Sequence, residues 1–278
     1  MVIPDIPKRN ARRYPNKVAV VFENTRYTFK ELNDRVNSMI NALAHMGLME
    51  GDRIAIIADN CNQYLEMFWV AAKARLAIAP FNPGLPPQQL SQLINNCGAK
   101  VLLLGQNHRD LVRTLQPKLK GVRDYVVIGE AEKGVRDYEK LVSSYPSLEP
   151  EVEIRDDDLL FLACTGGTTG LPKQVMHTHR SLLGMMLNLN HCYAQGHEDV
   201  FLFAVPPFWA HLVPYIMLPA SYFGCTIVIL RETSGSPILK AIERGKITTA
   251  WLSSPLLPQL VELQQEGKYD CSSLRRVI

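Results

Sequence analysis

A glycine- and threonine-rich segment at residues 165–173 carries the side chains best suited to chemistry in this chain. The segment reads Thr165, Gly166, Gly167, Thr168, Thr169, Gly170, Leu171, Pro172 and Lys173. Glycines let the backbone approach a ligand closely, and free N–H groups there can face an anion. The threonine hydroxyls add hydrogen-bond donors and the lysine adds a positive charge. The segment predicts a phosphate-binding loop, and an ordinary glycine-rich turn is the alternative.

The spacing within this loop excludes two better-known phosphate motifs. A Walker A loop has a Gly-Lys pair followed by a serine or threonine, whereas two residues separate the last glycine from Lys173 and Gln174 follows it. The Gly-x-Gly-x-x-Gly spacing of a dinucleotide fingerprint is absent. Residues 159–163 are apolar and residues 176–194 have helical spacing. We therefore expect a strand, the loop and then a helix.

The loop resembles the phosphate loop of the adenylate-forming superfamily, which includes acyl-CoA synthetases, aryl-CoA ligases, luciferases and the adenylation domains of peptide synthetases. The usual form there is Thr-Ser/Gly-Gly-Thr-Thr-Gly-x-Pro-Lys-Gly, and this chain departs from it at Gln174. Further stretches similar to the family lie at residues 27–32, 51–56, 68–83 and 175–180. The family favours a glycine at the position of Arg75. The resemblance covers essentially all 278 residues.

This resemblance implies ATP-dependent activation of a carboxylic acid. A carboxylate oxygen attacks the α-phosphorus of ATP, pyrophosphate leaves, and the acyl-adenylate then transfers its acyl group to coenzyme A. ATP, Mg²⁺ and coenzyme A are the implied cofactors and co-substrates. The double glycine and the apolar stretch after Pro214 resemble fatty-acid-activating members. The implied ATP phosphate-binding residues are Thr165, Gly166, Gly167, Thr168, Thr169, Gly170 and Lys173.

The same resemblance implies where the acyl pocket lies. Residues 205–211 stand where the family usually has Leu-Pro-x-Phe-His, followed by an aromatic residue and a glycine. A tryptophan takes the usual histidine position, and a histidine takes the aromatic position. The implied pocket residues are Phe208, Trp209, His211 and Ser253. Plain core packing of Phe208 and Trp209 is the alternative.

Composition narrows the classes of partner. The net charge is +3, from 30 basic and 27 acidic residues, which does not indicate a nucleic-acid ligand. The basic residues 8–13 predict a solvated helix face, with a polyanion or membrane-surface role as the alternative. Six cysteines without metal-ligand spacing, and no signal peptide, predict reduced thiols, no metal site and a cytoplasmic location. Cys164 beside the loop is expected to be a packed side chain rather than a nucleophile.

Strand-like and helix-like segments alternate along the chain. Strands are expected at residues 53–58, 77–81, 101–104, 125–128, 158–163, 200–204, 225–230 and 248–253. Helices are expected at residues 28–46, 61–75, 87–97, 109–119, 176–194, 236–244 and 255–266. This alternation predicts an α/β fold with stacked, mostly parallel sheets flanked by helices. Prolines and a glycine interrupt the apolar residues 212–230, which predicts a short buried helix and a strand rather than a transmembrane segment.

The expected domain organisation is part of a larger unit. The charged residues 129–156 predict a connection between a first subdomain, about residues 1–150, and the start of a second, about residues 157–278. In the family, adenine, ribose and Mg²⁺ contacts and a C-terminal lid domain with a catalytic lysine follow. We therefore expect an incomplete N-terminal domain with little activity alone and with catalytic residues beyond residue 278.

Three functions stay open from the sequence. The leading one is a coenzyme A ligase that acts through an acyl-adenylate. The second is an aryl-acid or amino-acid adenylating enzyme that feeds a carrier domain. The third is a non-catalytic module that binds nucleotide. The oligomeric state is not set by the sequence, with a homodimer among the candidates.

Overall fold

Two β-sheets organise the part of the chain that the computed structural model describes, which is residues 3–165, 172–209, 216–267 and 269–278, without the side chains of residues 190–192. The strands are β1 (Val18–Phe22), β2 (Thr25–Thr28), β3 (Arg53–Ile57), β4 (Ala77–Pro80), β5 (Ala99–Gly105), β6 (Asp124–Ile128), β7 (Arg136–Asp137), β8 (Leu159–Cys164), β9 (Gln174–Thr178), β10 (Val200–Phe203), β11 (Thr226–Ile229), β12 (Thr249–Trp251) and β13 (Arg276–Val277). The helices are α1 (Asp5–Arg13), α2 (Phe29–His45), α3 (Asn62–Lys73), α4 (Pro87–Cys97), α5 (Leu111–Leu115), α6 (Tyr138–Ser144), α7 (His179–Tyr193), α8 (Leu218–Phe223), α9 (Gly235–Gly245) and α10 (Leu257–Gln265).

Both sheets are mainly parallel. Sheet A has the strand order β13-β12-β10-β11-β1-β2, and sheet B has the order β7-β6-β5-β3-β4-β8-β9. The antiparallel pairs are the hairpins β1–β2 and β8–β9, and every other neighbouring pair is parallel. Parallel neighbours need long crossover connections, which the helices supply. The predicted α/β class with stacked, mostly parallel sheets is confirmed.

Helices cover both faces of both sheets, as parallel sheets require. One core cluster combines residues of both sheets with α2, α3, α7 and α8, so these helices lie between the sheets. Every residue of α3 is buried, which fits a helix with protein on all sides. On the outer face of sheet B, α4 and α5 pack in a second cluster. On the outer face of sheet A, α9 and α10 pack in a third.

Most of the predicted elements are present. All eight predicted strands form, with ends within two residues of the prediction. A capping box starts α2 as its sequence predicts, because Thr28 Oγ1 accepts from the N–H of Glu31 and Glu31 Oε2 accepts from the N–H of Thr28. After residues 212–215, which lie outside the described residues, α8 and then β11 form the predicted short helix and strand. No helix within the described ranges is long and apolar enough to cross a membrane.

Two predictions are wrong in part. Residues 176–178 belong to β9 rather than to a helix, because the backbone of residues 174–178 pairs with β8 and α7 begins only at His179. Residues 129–156 hold β7 and α6 as well as a connection. The buried face of α6 packs in the core between the sheets. The hairpin β1–β2 was not predicted. Sheet A takes strands from both sides of residue 150, and the predicted subdomain division there stays a prediction.

A buried polar network connects three helices between the sheets. Glu66 on α3 is fully buried, and its carboxylate accepts from Nε and Nη2 of Arg35 on α2, at 2.9 and 3.0 Å. It also accepts from Asn62 Nδ2 at 2.7 Å and from the Tyr138 hydroxyl of α6 at 2.9 Å. Arg35 in turn donates to Glu139 at 2.8 Å. A buried charge with this many partners is satisfied, so the network fixes the relative positions of α2, α3 and α6.

Candidate phosphate-binding site

The two ends of the predicted phosphate loop meet through a pair of hydrogen bonds. The N–H of Thr165 donates to the carbonyl oxygen of Lys173 at 2.9 Å, and the N–H of Lys173 donates to the Thr165 hydroxyl at 3.0 Å. Both residues are exposed, so the root of the loop faces solvent and carries a cationic side chain. The predicted residues Gly166, Gly167, Thr168, Thr169 and Gly170 lie outside the described residues.

The hairpin of β8 and β9 positions this root. β8 is apolar and central, with residues 160–163 buried, and β9 pairs with it antiparallel at the edge of sheet B. The expected helix directly after the loop is therefore absent, and α7 begins six residues after Lys173. A helix N-terminus adds a partial positive charge only within its first turn. Anion binding at this root consequently depends on the loop itself and on Lys173.

Cys164 stands directly before the loop. It is half-buried, and burial raises the pKa of its thiol to about 11. A thiol with that pKa is protonated at neutral pH and is a poor nucleophile. The structure thus agrees with the expectation that Cys164 is a packed side chain.

The root of the loop, at Thr165 and Lys173, lies at the end of sheet B where the parallel strands have their carboxyl ends. Ligands of parallel α/β sheets bind in crevices at this edge. Asn60, which follows β3, donates from Nδ2 to the carbonyl oxygen of Leu230, which follows β11, at 2.7 Å. This bond joins the carboxyl end of a sheet B strand to that of a sheet A strand. The carboxyl ends of both sheets therefore face the same side of the molecule.

Three of the four predicted acyl-pocket residues lie at the end of sheet A where the parallel strands have their carboxyl ends. Phe208 and Trp209 follow β10, and Ser253 follows β12. Because β10 and β12 are parallel neighbours in register, the segments after them emerge at the same end of the sheet. His211 lies outside the described residues. The fold thus brings the described pocket candidates to one edge, on the side of the molecule where the phosphate loop begins.

Trp209 is not a core residue. The residue is 39% exposed, and its backbone N–H closes a turn by donating to the carbonyl oxygen of Pro206 at 3.2 Å. Phe208 beside it is half-buried. Trp209 is therefore not packed in the core of this chain, and its place in an acyl pocket stays a prediction. A large flat ring at a sheet edge can bind an apolar or aromatic ligand.

The two histidines after the loop lie on different elements. His177 is on β9, with its ring 6.1 Å from that of Phe161, and burial lowers its pKa. His179 begins α7 and is buried, and neither of its ring nitrogens has a hydrogen-bond partner among the described residues. Burial lowers the pKa of His179 to about 4, so its ring is neutral at pH 7. Across the described ranges, no group of three or more His, Cys, Asp or Glu side chains could hold a metal ion.

Two residues near the site were missed by sequence reasoning. The link that Asn60 makes between the sheets has no sequence signal, because its partner is a backbone carbonyl far along the chain. Gln174 donates from Nε2 to the carbonyl oxygen of Leu93 in α4 at 3.3 Å. A signal did exist for Gln174, since it is the departure from the usual loop form.

Comparison with known proteins identifies residues 7–278 as an AMP-binding enzyme domain. The chain therefore belongs to the AMP-binding enzyme family, and the resemblance seen in the loop is confirmed. A feruloyl-CoA synthase from Amycolatopsis sp is 28% identical over 272 residues, which are 98% of this chain and 52% of that protein. A 2,3-dihydroxybenzoate-AMP ligase from Bacillus subtilis (strain 168) is 26% identical over 283 residues, with 98% of this chain and 51% of that protein covered.

Solved structures share the fold. A Mycobacterium tuberculosis fatty acyl CoA synthetase superposes with a TM-score of 0.89 at 21% identity, over 99% of this chain and 54% of that one. At this identity the match establishes the architecture of the two sheets and their helices. The chain spans about half the length of the curated relatives it matches.

Proposed function

We propose that this chain binds the phosphates of ATP within a protein that activates a carboxylic acid as an acyl-adenylate and transfers the acyl group to coenzyme A. The observation that carries the proposal is the solvent-facing loop root formed by Thr165 and Lys173, in a chain of the AMP-binding enzyme family. Relatives named as a CoA synthase and an AMP ligase support this class of reaction.

The phosphate-binding role belongs to residues 165–173. In the proposal, Gly166, Gly167, Thr168, Thr169 and Gly170 offer backbone N–H and hydroxyl donors to the β- and γ-phosphates. The reciprocal bonds between Thr165 and Lys173 hold the two ends of the loop together. A loop closed in this way loses less conformational freedom when an anion binds.

The proposed chemistry needs position and charge rather than a covalent group on the protein. A carboxylate oxygen forms a bond to the α-phosphorus while the bond to the bridging oxygen of pyrophosphate breaks, and that oxygen takes the electron pair. Lys173 is placed to neutralise part of the charge that develops on the leaving pyrophosphate. Mg²⁺ would share that charge when bound.

The carboxylate substrate is proposed to bind beside the exposed ring of Trp209, with Phe208, Ser253 and His211 contributing to the pocket. A fatty acid is the first candidate, from the double glycine and the apolar stretch after Pro214. An aryl acid is the second, because a flat exposed indole can stack on an aromatic ring. The relatives named as a feruloyl-CoA synthase and a 2,3-dihydroxybenzoate-AMP ligase support this second candidate.

The organisation of the longer protein is also a proposal. We expect a subdomain division near residue 150, catalytic groups beyond residue 278 and a lid domain. The coverage of about half of each named relative supports a longer protein. Transfer to a carrier domain in place of coenzyme A is the competing reaction. The cytoplasmic location and a homodimer stay predictions from the sequence.

ATP–pyrophosphate exchange, run on the longer reading frame with a panel of fatty and aryl acids, tests the proposal. We expect exchange that depends on one class of acid. Lys173→Ala should lower the rate about 100-fold, as the loss of one group at a developing charge does. Lys240→Ala, a change of the same type on the exposed face of α9, is the matched control and should leave the rate unchanged.

Two results would contradict the proposal. Absence of exchange with every acid would refute adenylate formation, and stabilisation by nucleotide without turnover would then favour a non-catalytic binding module. Full exchange in Lys173→Ala would refute the role assigned to the loop.

A further inference from the structure

Gln174 is the residue at which the loop departs from the usual form, and its side chain is engaged rather than free. It begins β9 and stands opposite Cys164, the last residue of β8. Its Nε2 donates to the carbonyl oxygen of Leu93 in α4 at 3.3 Å. A glycine at this position has no side chain with which to reach α4. The replacement of the usual glycine by Gln174 therefore adds a hydrogen bond between β9 and α4.

The contact reaches a tightly packed region. Leu93 and Cys97 are buried where α4 packs on the outer face of sheet B. One hydrogen bond thus joins the start of β9 to α4.

The partner helix is itself fixed at this end. Asn95 on α4 donates from Nδ2 to the carbonyl oxygen of Lys118 and accepts from the N–H of Lys120, each at 2.9 Å. Gly98 then ends the helix in the left-handed conformation. The hydrogen bond of Gln174 therefore connects β9 to a helix that has further contacts of its own near its C-terminal end.

We propose that Gln174 is a positioning residue that fixes the root of the phosphate loop to α4 and thereby sets the place of Lys173 for a bound triphosphate. The inference rests on the proposed function, since it needs a phosphate ligand at the loop. Gln174 directly follows Lys173 in the chain. It pairs with Cys164 across the β8–β9 hairpin, next to the two hydrogen bonds that join Thr165 to Lys173. A root held in one geometry is already organised for binding, so its ligand pays less ordering entropy.

Isothermal titration calorimetry of magnesium tripolyphosphate binding to this chain tests the inference. Gln174→Met keeps the length of the side chain but removes the amide, and Gln88→Met makes the same change at an exposed position on α4. We expect the Kd to rise about three- to tenfold in Gln174→Met, from the loss of one hydrogen bond, and to stay unchanged in Gln88→Met.

A double-variant cycle separates positioning from a general structural role. If Gln174 acts through Lys173, then Gln174→Met should weaken binding much less in a Lys173→Ala background than in the wild type. Circular dichroism and the Tm of the ligand-free chain check that each variant is folded. If Gln174→Met fails to fold, Gln174→Gly removes the side chain and the same hydrogen bond, and a rise in Kd is again expected.

The outcomes distinguish the two proposals. Wild-type binding with the same Kd in Gln174→Met, or an equal effect in both backgrounds, would overturn the positioning role and leave the phosphate loop standing. A wild-type chain that binds no tripolyphosphate would overturn the proposed function of the loop and this inference with it.

Discussion

Lowering the pH from 7 to 5 should destabilise this chain largely through one buried histidine. The pKa of His179 falls from its ordinary value of 6.5 to about 4 because burial disfavours the imidazolium, although Asp158 and Asp156 oppose this. Between these two pKa values the unfolded chain binds more protons than the folded chain. The free energy of unfolding therefore decreases as the pH falls through this window, and the loss is small above pH 6.5.

The size of this effect follows from the two pKa values. With 6.5 in the unfolded chain and about 4 in the folded chain, proton linkage gives a loss of about 2 kcal/mol between pH 7 and pH 5. His177 adds a loss of the same sign, because burial lowers its pKa too. The carboxylates with lowered pKa values, Glu139 and Glu149 among them, lose their stabilising effect mainly below their ordinary value of 4.5.

Urea unfolding of the wild type and His179→Leu at pH 7, 6 and 5 measures the effect. Leucine has a similar volume and no titratable group, so the variant should lose about 2 kcal/mol less than the wild type over this range. At pH 7 the variant should be at least as stable, because a buried ring without hydrogen-bond partners among the described residues is replaced by an apolar side chain.

His45→Leu, at an exposed position near the end of α2, is the matched control and should keep the pH dependence of the wild type. An equal loss of stability between pH 7 and pH 5 in the wild type and in His179→Leu would refute the reasoning. It would show that other groups carry the acid sensitivity.

Three further changes test the fold and the site. Glu66→Ala leaves the donors of four hydrogen bonds without their carboxylate and should lower the free energy of unfolding by about 3–5 kcal/mol in urea; a loss below about 1 kcal/mol would contradict this. Arg75 has a φ of +55°, in the left-handed region that strains every residue except glycine. Arg75→Gly and Arg75→Ala both lose the ion pairs with Glu50 and Asp158, so the glycine variant should be about 1 kcal/mol more stable than the alanine variant. The reverse order of stability would argue against backbone strain at this residue. In pyrophosphate exchange, Trp209→Ala should raise the KM for the carboxylate about tenfold and leave the KM for ATP unchanged. An increase only in the KM for ATP would exclude Trp209 from the acyl pocket.

Much of the fold could be predicted because its strands are apolar and its helices are amphipathic. The strand at Arg53–Ile57 and the helix at Pro87–Cys97 follow directly from these patterns and from flanking turn residues. The strand Gln174–Thr178 could not, since five residues with mixed polarity fit the start of a helix equally well. Only pairing with β8, which supplies the partners for its backbone, decides between the two.

Part of the candidate site could also be predicted from the sequence, and part could not. The residue types of Thr165 and Lys173 predict an anion site, and the structure adds that their backbones close the loop. The family preference for glycine at residue 75 agrees with the left-handed backbone of Arg75. The partners of Gln174 and Asn60 could not be predicted, because they are backbone carbonyls brought close only by packing.

A crystal structure of this chain with Mg²⁺ and a non-hydrolysable ATP analogue tests the central claim most directly. We expect the β- and γ-phosphates to bind within the loop of residues 165–173, with the Lys173 ammonium and the Thr165 end of the loop beside them. Phosphates bound elsewhere on the chain, with this loop free of ligand contacts, would contradict it.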